Sequence, residues 1–129
     1  MKKKTLVLTY VLLDFIAASA VWVMFYFFRK EYIEAAAEMI NQAERPLVLF
    51  GQGIILGKAE EEFKAFIEKA GIPSAWTILG LSALPSDHPL NVGMVGMHGN
   101  YGPNKLTNEC DTLIAIGMRF DDRVTGDLE

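Results

Sequence analysis

The chain has 129 residues, a length typical of one domain, and 51% of them are hydrophobic while 22% are charged. This composition excludes a disordered or low-complexity protein. A single cysteine excludes a disulfide scaffold, and the net charge of −4 argues against nucleic acid as a partner. All 11 glycines and all 5 prolines lie after residue 45, so the first third of the chain differs in kind from the rest.

The N-terminal segment is strongly apolar. Residues 5–28 are 24 residues with one charged side chain, Asp14, and basic residues flank them on both sides. As a helix, this run would be about 36 Å long at 1.5 Å per residue, enough to cross the hydrocarbon core of a bilayer. We therefore expect an N-terminal hydrophobic helix over residues 1–34 that anchors the chain in the inner membrane through residues 5–28.

Two other interpretations of this helix stay open. Ala18-Ser19-Ala20 has the small-x-small form of a signal-peptide cleavage site, although the apolar run continues beyond it. A buried helix of a soluble domain would need a partner on every face. An acidic residue within a membrane span is by default a candidate functional residue. Because the sequence contains one such span, we instead expect Asp14 to bond a partner helix or to stay neutral.

The remaining residues alternate between strand and helix patterns. A helix is expected to end over Ala37–Gln42, before Arg45-Pro46. Apolar runs typical of buried parallel strands are Leu47–Phe50, Ile72–Thr77 and Thr112–Ile116. Predicted helices are Lys58–Ala70, with Phe63, Phe66 and Ile67 on its apolar face and Gly71 as its stop, and Tyr101–Cys110. This order predicts an α/β fold with a parallel sheet and right-handed crossovers.

Ligands of such sheets bind beyond the carboxyl ends of the strands. Glycines or polar residues follow every predicted strand, at Gly51–Gly53, Thr77–Leu79 and Gly117–Arg123. We expect these stretches to converge on one edge and form the ligand site. The glycines suit either a tight turn or the approach of a phosphate. The arginines and aspartates of the last stretch suit either a self-paired solvated loop or contacts to phosphate and sugar hydroxyls.

Catalytic and metal sites have weaker signals. Gly93–Gly99 combines two methionines, which pair well with flat aromatic surfaces, with His98. A lone histidine beside glycines is more often a loop residue than a ligand, and His88 before Pro89 has the pattern of a turn. We therefore predict no metal site and no catalytic residue. Cys110 is expected to be a buried, unreactive thiol.

Four stretches together resemble the central domain of the acetolactate synthase large subunit, a thiamine-diphosphate enzyme of branched-chain amino-acid synthesis: RPLVLFGQG, AGIPSAWTILGLSALPSDHPL, VGMVGMHGNYG and ECDTLIAIGMRFDDRVTG. GMHGN and RFDDRVTG are the specific motifs, and the resemblance covers residues 35–129. It implies a partial, Rossmann-like parallel sheet with flanking helices, truncated at its C-terminal end, that binds FAD. In that family the flavin is not needed for net redox chemistry.

The resemblance also implies residues for the flavin site. Each group follows a predicted strand or lies in a motif: Gly51, Gln52 and Gly53 against the nucleotide; Thr77, Ile78 and Leu79 along it; Met97, His98 and Gly99 at the flavin end; and Gly117, Arg119, Asp121 and Arg123, with Asp122 alongside, at the phosphate and ribitol. Around the start of the second predicted helix, Gly102-Pro103-Asn104 stands where the family commonly has small residues around an Ala-Asn pair.

The family's thiamine-activating glutamate and its metal–diphosphate motif have no counterpart in this sequence. We therefore expect a cytoplasmic fragment that forms no acetolactate alone, with thiamine diphosphate, magnesium and the homo-oligomer belonging to the full-length enzyme. Residues 1–34 resemble the first membrane span of bacterial polyprenyl-phosphate sugar phosphotransferases, which places a join near Glu34–Ala37. Two alternatives are a non-catalytic, membrane-anchored nucleotide-binding module and the central domain of a related thiamine-dependent carboligase or oxidase; RFDDRVTG favours acetolactate synthase over the latter.

Overall fold

The computed structural model describes residues 2–125, so Gly126, the last residue of the RFDDRVTG motif, lies outside the described residues. The chain divides into two compact units, Met1–Gln42 and Ala43–Glu129.

The first unit is a single helix, α1, over Lys2–Gln42. It confirms the predicted N-terminal hydrophobic helix and its end at Gln42. Within the described part, Leu12–Gln42 is long and apolar enough to cross a membrane by length and composition, a test that a signal sequence also passes. The helix continues through residues 34–37 without a break, so the predicted domain boundary falls inside α1 and stays a prediction.

The second unit is a parallel sheet with helices. Its elements in chain order are β1 (Pro46–Phe50), α2 (Gly53–Leu56), α3 (Glu60–Ala70), β2 (Ser74–Trp76), a 3-10 turn (Ile78–Gly80), β3 (Asn91–Met94), α4 (Tyr101–Glu109), β4 (Thr112–Ile116) and α5 (Asp122–Thr125). The strands lie in the order β3-β2-β1-β4, and every pair is parallel. The predicted α/β fold is confirmed.

β3 is a fourth strand that the sequence analysis did not predict. Its residues, Asn-Val-Gly-Met, form no apolar run, and Gly93 has φ 110° at a register shift between Ser74 and Ala75 of β2. A bulge with a glycine in this conformation interrupts the alternation by which strands are recognised. The segment is therefore a strand because it pairs with β2, and not because of a pattern in its own sequence.

The core lies on both faces of β1, the most buried strand. Val48 and Phe50 face α3, where the rings of Phe50 and Phe63 lie 4.9 Å apart. Leu47 and Leu49 cluster with Ala75 and Val95 on the other face. As predicted, α3 ends at Gly71, which turns the chain out of the helix with a φ of 66° while its N–H still donates to the Ile67 carbonyl.

β4 is less buried than predicted. Its residues alternate between half-buried and exposed, and the side chain of Leu113 is 38% exposed. The prediction of a buried strand is wrong because β4 pairs with β1 on one side and, among residues 2–125, no strand pairs with its other side.

Asp111 ties the start of β4 to the start of β1. Its carboxylate accepts hydrogen bonds from the backbone N–H of Glu44 at 2.7 Å and of Arg45 at 3.0 Å. Partial desolvation raises the pKa of the Asp111 carboxyl, but these backbone hydrogen bonds and the charge of Arg45 outweigh it, so the pKa lies below its ordinary value of 3.8. The ionised carboxylate thus stabilises the fold above the ordinary pKa, and this stabilisation is lost as the pH falls through the lower folded pKa.

We expect Asp111→Asn to destabilise the fold at pH 7, because the amide keeps only one acceptor oxygen and carries no charge. The difference from the unsubstituted protein should begin to shrink below about pH 4 and should vanish as the pH falls through the lowered pKa of the folded Asp111 carboxyl. Urea unfolding in detergent, followed by Trp76 fluorescence in a Trp22→Phe background, measures both effects. Asp87→Asn, on an exposed loop, is the matched control, and equal effects of the two substitutions would contradict the prediction.

Candidate functional site

The loops after β1 and β4 pack backbone against backbone. The Gly51 N–H donates to the Ile116 carbonyl at 3.1 Å, and the Gly53 N–H donates to the Gly117 carbonyl at 2.7 Å. A Cβ on Gly53 would lie 2.7 Å from the Gly117 Cα. The glycines after β1 therefore serve close loop packing, which favours the tight-turn interpretation, and both amides already have protein acceptors. Gln52 is the exposed side chain of this stretch.

The segment after β2 lies beside the same loops. The Thr77 N–H donates to the Phe50 carbonyl at 2.9 Å. Gly80 is buried, and a Cβ there would lie 2.9 Å from the Gly51 Cα. Ile78 and Leu79 are 67% and 61% exposed, so this edge presents apolar side chains to solvent.

The loop after β3 contacts the segment that contains Arg123. The Met97 N–H donates to the Arg123 carbonyl at 2.8 Å. Gly96 is buried with φ 102°, and a Cβ on it would lie 2.5 Å from the same carbonyl oxygen. The GMHGN and RFDDRVTG motifs, which 18 residues separate in the sequence, therefore meet directly. The side chains of Met97 and His98 are exposed.

The charged loop after β4 is partly self-paired. The Arg119 Nη2 lies 3.3 Å from the Asp121 Oδ2, and the Arg119 side chain is 87% exposed. Such an exposed pair contributes little to stability, since water screens both charges. Arg123 is exposed as well, so this loop places two accessible guanidinium groups at the edge.

The loops that follow the carboxyl ends of the four strands thus lie together, and we call this surface the carboxyl edge. It contains every group of predicted site residues: Gly51, Gln52 and Gly53; Thr77, Ile78 and Leu79; Met97, His98 and Gly99; and Gly117, Arg119, Asp121 and Arg123. Whether they bind a flavin stays a prediction. Within residues 2–125, no group of three or more histidine, cysteine, aspartate or glutamate side chains is arranged to hold a metal.

Three residues outside these groups also belong to the site's framework. Gly80 packs against the loop after β1. The Asn100 side chain accepts from the N–H of Met94, the last residue of β3, and the Asn104 side chain bonds the backbone of the loop that follows. Asparagine bonds nearby backbone groups readily in turns, so Asn100, just after GMHG, carried a local signal. Asn104 reaches back eight residues from a helix, a contact that no short-range pattern predicts.

His88 and Cys110 lie elsewhere. The His88 Nδ1 accepts a hydrogen bond from the Leu90 N–H at 3.2 Å, as expected of a turn residue. A cavity beside it is lined by Lys64, Glu68, Asp87 and neighbouring residues, none of them in a predicted site group. Cys110 is half-buried rather than buried, because it follows the last residue of α4, where its Sγ donates to the Thr107 carbonyl at 3.2 Å.

The fold and the loop motifs correspond to a known family. Residues 33–129 match the family model described as the central domain of thiamine pyrophosphate enzymes. The chain therefore belongs to this family. Because the match begins at residue 33, the proposed resemblance of residues 1–34 to a sugar phosphotransferase stays a prediction.

Within the family, the chain is similar to acetolactate synthase large subunits. It is 50% identical over 96 residues to a protein of Methanocaldococcus jannaschii named "Probable acetolactate synthase large subunit" and 45% identical over 97 residues to the Corynebacterium glutamicum large subunit. These alignments cover 74% and 75% of this chain but 16% of each relative. The Escherichia coli isozyme 1 large subunit is 44% identical, with 79% of this chain and 18% of that relative aligned.

A solved structure shows the same architecture. The X-ray structure of an enzyme from Mycobacterium smegmatis, described as thiamin diphosphate-dependent, superposes with a TM-score of 0.58 at 28% identity. The superposition covers 67% of this chain and 17% of that one. The described sheet thus corresponds to part of a central domain.

We expect Gly117→Ala to destabilise the fold by about 1–3 kcal/mol. Alanine is strained at φ 61°, and its Cβ would lie 2.7 Å from the Ile54 nitrogen. Gly102→Ala is the matched control, because a Cβ there meets nothing within 4 Å and alanine suits a helix better than glycine. Urea midpoints of the two variants measure the difference; a Gly117→Ala protein as stable as the control would contradict the loop packing described above.

Proposed function

We propose that this chain supplies part of the flavin-binding central domain of an acetolactate synthase, in branched-chain amino-acid synthesis. The observation that carries the proposal is the hydrogen bond between the Met97 N–H and the Arg123 carbonyl, which joins the two motifs on which the resemblance rests. Identities of 44–50% to acetolactate synthase large subunits support the choice of enzyme within the family.

The exposed groups at the carboxyl edge fit an FAD molecule. Ile78, Leu79 and Met97 offer apolar surface to a flat ring system, and sulfur packs well against aromatic edges. Arg119 and Arg123 offer guanidinium donors to phosphates. Because the Gly51 and Gly53 amides already bond protein carbonyls, the arginines rather than these amides would hold the anionic part.

When bound, FAD supplies a redox-active ring system, although the resemblance implies an acetolactate reaction without net redox change. The residues of this chain would bind and orient the cofactor, with Asp121 near the sugar hydroxyls. The thiamine diphosphate, magnesium and homo-oligomer of the family belong, in this proposal, to the remainder of a synthase. Residues 35–129 would work in the cytoplasm.

We expect Arg123→Ala to raise the Kd for FAD by about tenfold or more, because a charge-assisted hydrogen bond to phosphate is lost. Quenching of flavin fluorescence during titration of the full chain in detergent measures the Kd. Lys69→Ala is the matched control. Lys69 lies on the last turn of α3, at the other end of the strands, so this substitution removes the same charge away from the carboxyl edge. A wild-type chain that is folded and leaves flavin fluorescence unchanged would refute the proposed cofactor.

The same preparation should form no acetolactate from pyruvate with thiamine diphosphate, Mg²⁺ and FAD added. This outcome follows from the proposal that the thiamine-binding parts lie in the remainder of a synthase. Colorimetric detection of acetoin after acid decarboxylation measures the product, with an intact acetolactate synthase as the positive control. Turnover by this chain alone would contradict the proposed division of labour.

A second proposal concerns α1. We propose that residues 5–28 anchor the chain in the inner membrane, since apolar side chains such as Phe15 and Trp22 are each 73% exposed along the helix. A chain that is anchored in this way, binds a flavin and catalyses no reaction would be a membrane-anchored nucleotide-binding module. The signal-peptide interpretation differs in one respect, cleavage after Ala20.

We expect the expressed protein to stay with the membrane pellet after extraction at high pH and to keep its full mass, because an apolar span is released only by detergent. Fractionation followed by mass spectrometry of the intact chain measures both. The matched control carries Val21→Arg and Val23→Arg, which make the span costly to insert. Release of the unsubstituted chain, or a mass that shows loss of residues 1–20, would refute the anchor.

A further inference from the structure

We infer that Asn104 is a positioning residue for the proposed flavin site, an inference that rests on the proposed function. Asn104 is half-buried on α4, and its side-chain amide makes two hydrogen bonds to one residue of the loop after β3. Its Oδ1 accepts from the Gly96 N–H at 2.9 Å, and its Nδ2 donates to the Gly96 carbonyl at 3.0 Å. Both backbone polar groups of Gly96 are therefore held by one side chain.

This double hydrogen bond continues into the charged loop. The peptide group between Gly96 and Met97 accepts from Asn104 through its oxygen and donates to the Arg123 carbonyl through its N–H, at 2.8 Å. One peptide group therefore links α4 to the Arg123 segment. Because a peptide is planar, fixing its oxygen also fixes the direction of its N–H. The Gly99 N–H donates to the same oxygen at 2.9 Å, so Asn104 and Gly99 together determine where the Met97 amide points.

Gly96 is the residue whose conformation most needs restraint by these hydrogen bonds. Its φ of 102° is available to glycine at little cost, but it leaves the loop without the restraint that a side chain would give. The restraint comes instead from Asn104, from the Gly99 N–H, which donates to the Gly96 carbonyl at 2.9 Å, and from the Arg123 carbonyl, whose oxygen would lie 2.5 Å from a Cβ on Gly96. Met97 and His98 follow Gly96 directly in the sequence, so this turn sets the directions of their side chains.

The chemistry of the site selects an amide. Asparagine offers a donor and an acceptor on one short planar group, which matches the N–H and carbonyl of one residue. Aspartate at this position accepts from the Gly96 N–H but cannot donate to the Gly96 carbonyl. Alanine does neither, so the N–H of the buried Gly96 loses its Asn104 acceptor and the Gly96 carbonyl keeps only the Gly99 N–H. The Asn104→Asp substitution therefore removes one of the two hydrogen bonds and keeps the other.

The experiment measures backbone hydrogen exchange by NMR and FAD affinity on the full chain in detergent, for Asn104→Ala, Asn104→Asp and the matched control Asn108→Ala. Asn108 is exposed, one turn further along the same helix. In Asn104→Ala we expect exchange of the Gly96 and Met97 amides to accelerate at least tenfold more than that of the core Leu49 amide. We expect the Kd for FAD to rise about tenfold, with Asn108→Ala unchanged in both measurements.

Asn104→Asp provides the sharper comparison and guards against an unfolded alanine variant. We expect it to keep the Gly96 amide protected while the Met97 amide exchanges faster, because only the bond to the Gly96 carbonyl is lost. Equal acceleration at Gly96, Met97 and Leu49 would show general destabilisation and overturn the inference. Unchanged FAD affinity in a variant with a freed Met97 amide would also overturn it. Absence of FAD binding by the unsubstituted chain refutes the proposed cofactor instead, and the exchange data then still decide whether Asn104 positions the loop.

Discussion

The pairing of β1 with β4 is the constraint on which the second unit depends. Five residues of each strand pair in parallel, from Pro46 with Thr112 to Phe50 with Ile116, although more than 60 residues separate them in sequence. Asp111 fixes the amino end of this pair by bonding the N–H groups before β1, and the bond from Gly53 to the Gly117 carbonyl fixes the carboxyl end. Closing so long a loop costs conformational entropy, and the buried side chains of β1 offset it.

The carboxyl edge follows from that pairing. With β1 and β4 in register, the loops after them meet through glycines, and the turn after β2 packs on the same backbone through Gly80. Backbone contacts hold these loops, and several of their larger side chains are exposed to solvent. The proposed flavin site therefore consists of exposed residues such as Met97 and Arg123 on a framework of main-chain hydrogen bonds.

In the described part of the chain, the sheet has an open side at β4. β4 has β1 on one side and, within residues 2–125, no strand on the other, and Leu113 is left partly exposed. Unpaired strand edges offer backbone groups to other chains. The alignments cover 16% of each of the two relatives, from Methanocaldococcus jannaschii and Corynebacterium glutamicum, so the chain matches a small part of their length.

Local patterns in the sequence determined most elements. The helical spacing of Phe63 and Ile67 predicted α3, Gly71 predicted its end, and the apolar runs predicted β1 and β4, because helix faces, caps and buried strands have short periods. The long apolar run likewise predicted α1. Family motifs, rather than periodicity, gave the candidate site residues, and their binding of a flavin remains a prediction.

Tertiary structure alone decided the rest. β3 depends on pairing with β2 across a bulge at Gly93, and the exposure of β4 depends on its place at the sheet edge. The double hydrogen bond from Asn104 to Gly96 joins a helix to a loop whose conformation exists only once the sheet has formed. The sequence by itself therefore determined most of the elements and the residues after each predicted strand, since those follow from local chemistry. Which backbone groups face one another was decided by the fold, because those contacts join segments that are distant along the chain.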